Sequence, residues 1–242
     1  MEHEGNNQGK IVIVFGHQGA PGYAPENTLL SFEEGVRRGA DWLELDVHRV
    51  AGELLVIHDY RLDRTTNGKG IIYHQPPDLI RSLDAGRGEK IPFLYEVFDL
   101  VNRRAGLNIE LKSSGTAEPV MKLIDKYIQN QKWTLSQFRI SSFNHPELKK
   151  IREMNSDIKI GILMYGIPLD LDQIIHILKP DSIHIGIEFI NREIVELIHS
   201  KNLKVFVYTV NHPEDVKWML DLQVDGVFTD YPDRVKQVMG KQ

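Results

Sequence analysis

The chain has 242 residues, with 29 lysines and arginines against 34 aspartates and glutamates, for a net charge of −5. An acidic balance without a basic patch argues against a nucleic-acid partner, and the absence of cysteine excludes disulfides, thiolate nucleophiles and thiolate metal sites. No apolar run approaches the roughly 18 residues of a membrane span, and residues 1–10 lack the apolar stretch of a signal peptide, so a cytoplasmic protein is expected.

The first apolar run, 11–16, predicts a strand, and His17 follows it directly. A helix is expected over 28–38. The run Trp42-Leu43-Glu44-Leu45-Asp46-Val47 then predicts a second strand. Side chains at i and i+2 of a strand share a face, so Glu44 and Asp46 point the same way out of a buried segment. Like charges about 4 Å apart repel by roughly 4 kcal/mol at an effective dielectric of 20, so something must neutralise them. The alternation of strands and helices breaks once, over 49–93. This segment carries an extra strand over 54–58 that ends on His58, then Arg64-Thr65-Thr66-Asn67-Gly68-Lys69-Gly70 and Pro76-Pro77. Interruptions this long inside a domain are usually functional.

The alternation then resumes. Strands are expected over 106–111, 139–143, 159–164, 182–186, 204–210 and 226–229. Helices are expected over 94–104, 118–130, 146–155, 171–178, 192–200, 213–222 and 233–239. Eight strands, each followed by a helix, predict a (β/α)8 TIM barrel, which takes roughly 250 residues. The domain is read as one unit over 1–242, with a small subdomain inserted at about 49–93 between strand 2 and helix 2. A doubly wound open sheet is the rival. No Gly-x-Gly-x-x-Gly turn follows the first strand, which weakens its nucleotide-binding form.

Catalytic groups of a barrel lie at the C-terminal ends of its strands. His17, Glu44, Asp46, Glu110, Lys112 and His58 all occupy such positions and should converge at one mouth. Three carboxylates without sulfur suit a hard divalent cation, Ca²⁺ or Mg²⁺. Two nearby histidines suit general acid–base chemistry. A lysine beside the cation suits an anionic substrate, most economically a phosphate. Together they describe metal-assisted cleavage of a phosphoester. His3, His74, His176, His199 and His212 are read as surface or structural. His48 and His184 are read as supporting or simply satisfied, and Asn27 and Asp59 as caps or turn residues.

These residues carry a resemblance. The chain resembles the glycerophosphodiester phosphodiesterase family in His17-Gln18-Gly19, Pro25-Glu26-Asn27-Thr28, Glu44-Leu45-Asp46-Val47, His58-Asp59 and Arg64-Thr65-Thr66-Asn67-Gly68. The likeness continues in Ile109-Glu110-Leu111-Lys112, Ser141-Ser142-Phe143, Tyr208-Thr209-Val210-Asn211 and the stretch 225–232. The resemblance implies a barrel with a small inserted subdomain and hydrolysis of small-molecule glycerophosphodiesters to glycerol 3-phosphate and an alcohol. It implies His17 and His58 as the acid–base pair, and Glu44, Asp46 and Glu110 as ligands of a divalent cation. It also implies Lys112 on the phosphate, with Phe143 and Tyr208 lining the substrate cleft.

The family usually has arginine where this chain has Gln18, which is expected at the substrate phosphate as a neutral partner, and tryptophan where it has Tyr208. Two other functions share the site: a lysophospholipase D-like activity, which would need an apolar rim around Ile71, Ile72, Tyr73 and Leu79, and a phosphodiester-binding module with weak or no turnover.

Overall fold

The structure, a computed structural model, describes residues 12–240. Ile11, the start of the first predicted strand, lies outside the described residues, as do the polar segment 1–10 and His3. Among the described residues no helix is long and apolar enough to cross a membrane.

Eight parallel strands close on themselves: β1 (Ile13–Gly16), β2 (Trp42–Val50), β4 (Gly106–Leu111), β5 (Phe138–Ser142), β6 (Lys159–Met164), β7 (Ser182–Gly186), β8 (Lys204–Tyr208) and β9 (Gly226–Thr229). Closure comes from β1, which pairs with β9 on one side and with β2 on the other. Helices α1 (Leu29–Arg37), α3 (Leu94–Val101), α4 (Ala117–Gln131), α5 (His145–Met154), α6 (Leu171–Leu178), α7 (Arg192–Ser200), α8 (Pro213–Asp221) and α9 (Pro232–Met239) alternate with the strands. This is the (β/α)8 barrel expected from the alternation.

Each strand divides its side chains between two layers. In β2, Leu43, Leu45 and Val47 are fully buried and join the apolar cluster that includes helix residues such as Phe32, Phe98 and Ile124. The alternate residues Trp42, Glu44 and Asp46 face the barrel interior. There Phe15, Phe206 and Phe228 pack together, with Phe15 at 4.8 Å and 4.5 Å from the other two rings. Around them, Asn108 donates to Ser141 at 2.9 Å, and Ser182 bonds both Arg139, at 2.7 Å, and His184, at 2.9 Å.

Local chemistry sets the helix ends. The Thr28 hydroxyl accepts from Ser31 N–H at the start of α1, and the Asn191 carbonyl oxygen accepts from Ile194 N–H at the start of α7. Helix α3 stops at Val101, short of the expected 104. Asn102 and Arg103 adopt positive φ of 42° and 65°, which a right-handed helix cannot include.

Strand β2 runs three residues past the expected 47. Its first residues pair with β1 (Phe15↔Trp42, Gly16↔Leu43), and its last pair antiparallel with β3 (Glu53–Val56) from Val47↔Val56 to Val50↔Glu53. The hairpin thus lifts the chain above the mouth. The rest of the insertion includes α2 (Pro77–Ser82), which the sequence pattern did not indicate, and folds around Val50, Leu55, Ile57, Leu62, Ile72, Ile80 and Ile91. Strand β3 ends two residues before His58. That residue is placed instead by the Ile57 N–H bond to the Asp46 carbonyl, at 3.0 Å.

Replacing Phe15 by alanine removes the ring shared by Phe206 and Phe228 at the barrel axis. It should cost about 3–5 kcal/mol of unfolding free energy, measured as a lower urea midpoint at unchanged slope.

Candidate active site

The turn after β1 begins the site. Gln18 and Gly19 both have positive φ, 50° and 92°, and a Cβ on Gly19 would meet Ser31 backbone at 2.5 Å. Only glycine fits there. The turn aims the Gln18 backbone N–H at Glu44 Oε2, 2.9 Å away, and its side-chain amide at Asp46 Oδ2, 2.8 Å away. Asn27, itself at φ 56°, donates to the same oxygen at 2.8 Å and accepts from the Asp46 N–H at 3.2 Å. Asn27, read from the sequence as a cap or turn residue, therefore grips a carboxylate.

Opposite them stands Glu110 on β4, directly in register with Asp46. Lys112 donates to Glu110 Oε1 at 2.8 Å and lies 3.4 Å from Asp46 Oδ1. Ligand oxygens of Glu44, Asp46 and Glu110 all fall within 4.8 Å of one another, and all three residues are buried. Burial, then the Asp46 charge, raises the Glu44 pKa well above the usual carboxylate range. Burial and Asp46 likewise raise that of Glu110. Burial pushes Asp46 upward too, but Lys112, His58, the Asn27 bond and His17 outweigh it and hold Asp46 ionised. An all-oxygen donor set, buried and short of positive charge, fits a hard divalent cation.

Each of the two histidines has a carboxylate behind it. His17 Nδ1 bonds Asp230 Oδ1 at 2.8 Å. Asp230 accepts from the Asn211 amide at 2.7 Å and gives its own N–H to Asn211 Oδ1 at 2.8 Å. Burial lowers the His17 pKa, but the Asp230 bond and the charges of Glu44, Asp230 and Asp46 prevail and push it up to about 9.

His58 Nδ1 bonds Asp59 Oδ1 at 2.6 Å. Arg64 clamps Asp59 at 2.7 Å and 3.0 Å and reaches both oxygens of Glu26 at 2.7 Å. That clamp, opposed by burial, takes Asp59 down to about 2. His48 bonds the His58 carbonyl at 3.1 Å and Tyr73 at 2.6 Å. With Nδ1 engaged on a carboxylate, each imidazole has Nε2 left for chemistry.

A cleft of about 290 Å³ is lined by His17, His58, the three carboxylates and Lys112, with Phe143 and Tyr208 on its far wall. Its floor includes His184, which burial keeps neutral by lowering its pKa well below the ordinary value. Gln18 is not among the lining residues. It is 5% exposed, and its amide is directed to Asp46 rather than to the space a substrate would fill. Asp230, Asn211, Arg64 and Tyr165 belong to the site, yet the sequence alone assigns them no role. The first three lie in stretches that carry the family likeness, and that is the available signal.

Three comparisons place the chain among known proteins. The sequence profile of the glycerophosphoryl diester phosphodiesterase family matches residues 17–234. A glycerophosphodiester phosphodiesterase of Caldanaerobacter subterraneus subsp. tengcongensis is 35% identical, over 95% of this chain and 98% of that protein. A glycerophosphodiester phosphodiesterase of Bacillus altitudinis is 34% identical, over 93% and 97%. A solved structure of an Oleispira antarctica phosphodiesterase in complex with the product sn-glycerol-3-phosphate superposes with a TM-score of 0.86 at 29% identity, covering 94% of this chain and 96% of that one.

In the presence of chelator, the His17 ring should titrate near pH 9. Its raised value stabilises the fold fully below about pH 6.5, and that contribution is lost as pH rises through about 9. Adding Ca²⁺ or Mg²⁺ should lower the His17 pKa, because a cation among the carboxylates offsets the charge that holds the proton. Ring-proton NMR checks both. A His17 pKa that rises on adding the cation contradicts this arrangement.

Proposed function

The chain belongs to the glycerophosphoryl diester phosphodiesterase family, and from that premise we propose that it hydrolyses glycerophosphodiesters to glycerol 3-phosphate and an alcohol, with His17 and His58 as the acid–base pair. The observation that carries this reading is the convergence, in one cleft, of three buried carboxylates with two histidines that each have a carboxylate on Nδ1.

Glu44, Asp46 and Glu110 would hold a divalent cation, Ca²⁺ or Mg²⁺. Bound there, it would supply Lewis-acid charge to a phosphate oxygen. Lys112 takes a second phosphate oxygen. Its pKa is raised because Asp46 and Glu110 outweigh its burial, so the ammonium persists across the working range. One histidine accepts the proton of the glycerol 2-hydroxyl as that oxygen attacks phosphorus, and the other protonates the departing alcohol as its P–O bond breaks. Water then opens the resulting cyclic phosphate with the two roles exchanged, giving glycerol 3-phosphate. An internal nucleophile has an entropic advantage of up to about 7–11 kcal/mol in well-aligned cases; direct attack of water is the competing route. Phe143 and Tyr208 wall the cleft. Gln18 acts through Asp46, whose second oxygen it and Asn27 occupy. The substrate is a small molecule, and the reaction is proposed to run in the cytoplasm.

The lysophospholipase D-like reading is less well supported. Of the four apolar residues that would form its rim, Tyr73 and Leu79 are exposed, but Ile72 is fully buried and Ile71 half-buried, which leaves two separate side chains rather than a continuous apolar edge. A binding module without turnover has no use for two histidines each fixed by its own carboxylate.

Exhaustive EDTA treatment should abolish hydrolysis of glycerophosphocholine, and Ca²⁺ or Mg²⁺ should restore it. Full activity in EDTA sinks the three-carboxylate assignment. His17→Ala and His58→Ala should each lose about 10²–10⁴-fold in kcat while the protein still binds the cation by calorimetry. His74→Ala, outside the cleft, should match wild type. A His58→Ala enzyme with more than half of normal turnover removes His58 from the chemistry.

A further inference from the structure

The mouth of the barrel has two unlike sides. The carboxylates, Lys112 and His17 sit on the ends of β1, β2 and β4. Across the cleft, the ends of β5 to β8 present an aromatic arc. Phe143 and Tyr165 stack at 4.5 Å and 16°, and Tyr208 stands at 88° to Phe143, 6.2 Å away. All three line the cleft. Tyr165 keeps 74% of its surface exposed.

The corner is built around a missing side chain. Gly186 ends β7 in register with Tyr208. A Cβ on it would lie 2.8 Å from Glu188 Oε2 and 3.7 Å from the Tyr208 ring. The Glu188 carboxylate therefore folds back over the strand end, beside that ring; it stands next to the aromatic arc and is not itself among the residues lining the cleft. Among the described residues it makes no hydrogen bond and no ion pair.

This side offers π faces with one carboxylate beside them, and its hydrogen-bonding side chains are neutral: Ser141, Thr209 and the Tyr165 hydroxyl. The Tyr208 hydroxyl is already given to the Met164 carbonyl, at 2.9 Å. Glycerol hydroxyls would find stronger partners on the opposite side, among the carboxylates, the histidines and Lys112. A methylated ammonium suits it well: aromatic faces attract such a cation, and a carboxylate adds to that attraction. Lys112, the sole lysine or arginine among the lining residues, stands on the opposite side and would repel the same charge toward the arc.

We propose that Phe143, Tyr165, Tyr208 and Glu188 form a subsite for the leaving alcohol, and that it selects an alcohol bearing a trimethylammonium group. This rests on the phosphodiesterase reading above and adds the identity of the alcohol to it.

The test compares kcat/KM, with Mg²⁺ or Ca²⁺ present, for glycerophosphocholine and for its uncharged carbon isostere, the 3,3-dimethylbutyl ester of glycerol 3-phosphate. The choline ester should be preferred by roughly 5- to 30-fold. Tyr165→Leu and Glu188→Gln should each shrink that ratio at least about threefold, and tetramethylammonium should inhibit both variants more weakly than wild type. Equal rates on the two esters overturn the subsite and leave the phosphodiesterase reading standing. A preference that survives both substitutions also overturns it. Hydrolysis of neither ester overturns the phosphodiesterase reading and the subsite together.

Discussion

Three carboxylates buried within 4.8 Å of one another are the constraint around which the rest of this mouth is arranged. At that separation each ionised pair repels by about 3–4 kcal/mol at an effective dielectric of 20. The fold offsets part of the repulsion. Lys112 lies against two of the three groups, Gln18 gives a backbone N–H to Glu44, and Asn27 and Gln18 saturate one oxygen of Asp46. One ammonium cannot balance three carboxylates. The raised pKa values of Glu44 and Glu110 express the remaining deficit, which a divalent cation would fill.

The same fields reach the histidines. His17 is drawn toward its charged form by the site carboxylates and by Asp230. His58 is held differently, by a carboxylate already neutralised by Arg64, which in turn ties residues 59–64 to Glu26 on the barrel. The antiparallel β3, hydrogen-bonded to the overhanging end of β2, makes this possible, because it brings a residue from outside the eight-stranded ring over the carboxylates. On the far side the barrel switches to aromatic groups, and the cleft becomes polar at one end and apolar at the other.

Much of this was legible in the sequence. The period-two alternation in 42–47 and 106–111 placed Glu44, Asp46 and Glu110 on one face, and the strand–helix rhythm gave the barrel. The supporting groups were harder to see. Asp230 meets His17 across 213 positions of sequence, a pairing no local pattern reveals. Asn27 and Asp59 are common turn residues, and nothing nearby marks one as gripping a carboxylate and the other as backing a histidine. Gln18 was expected at the substrate because of what usually stands there. A positive φ and a buried amide turn it to Asp46 instead. The overhang of β2 and the short α2 arise from pairing and packing within 49–93, where the pattern is too irregular for periodicity to define elements.

The carboxylate cluster stores repulsion that a divalent cation would relieve. Thermal unfolding of Glu44→Gln beside wild type, in EDTA and in Mg²⁺ or Ca²⁺, measures that repulsion. The order of the two melting temperatures should reverse on adding the cation. In EDTA the variant melts higher than wild type, because a neutral amide replaces a carboxyl whose ionised form burial and Asp46 oppose. With the cation, wild type gains stability by mass action and the variant gains little. A variant that melts lower than wild type in EDTA and rises equally with the cation contradicts it.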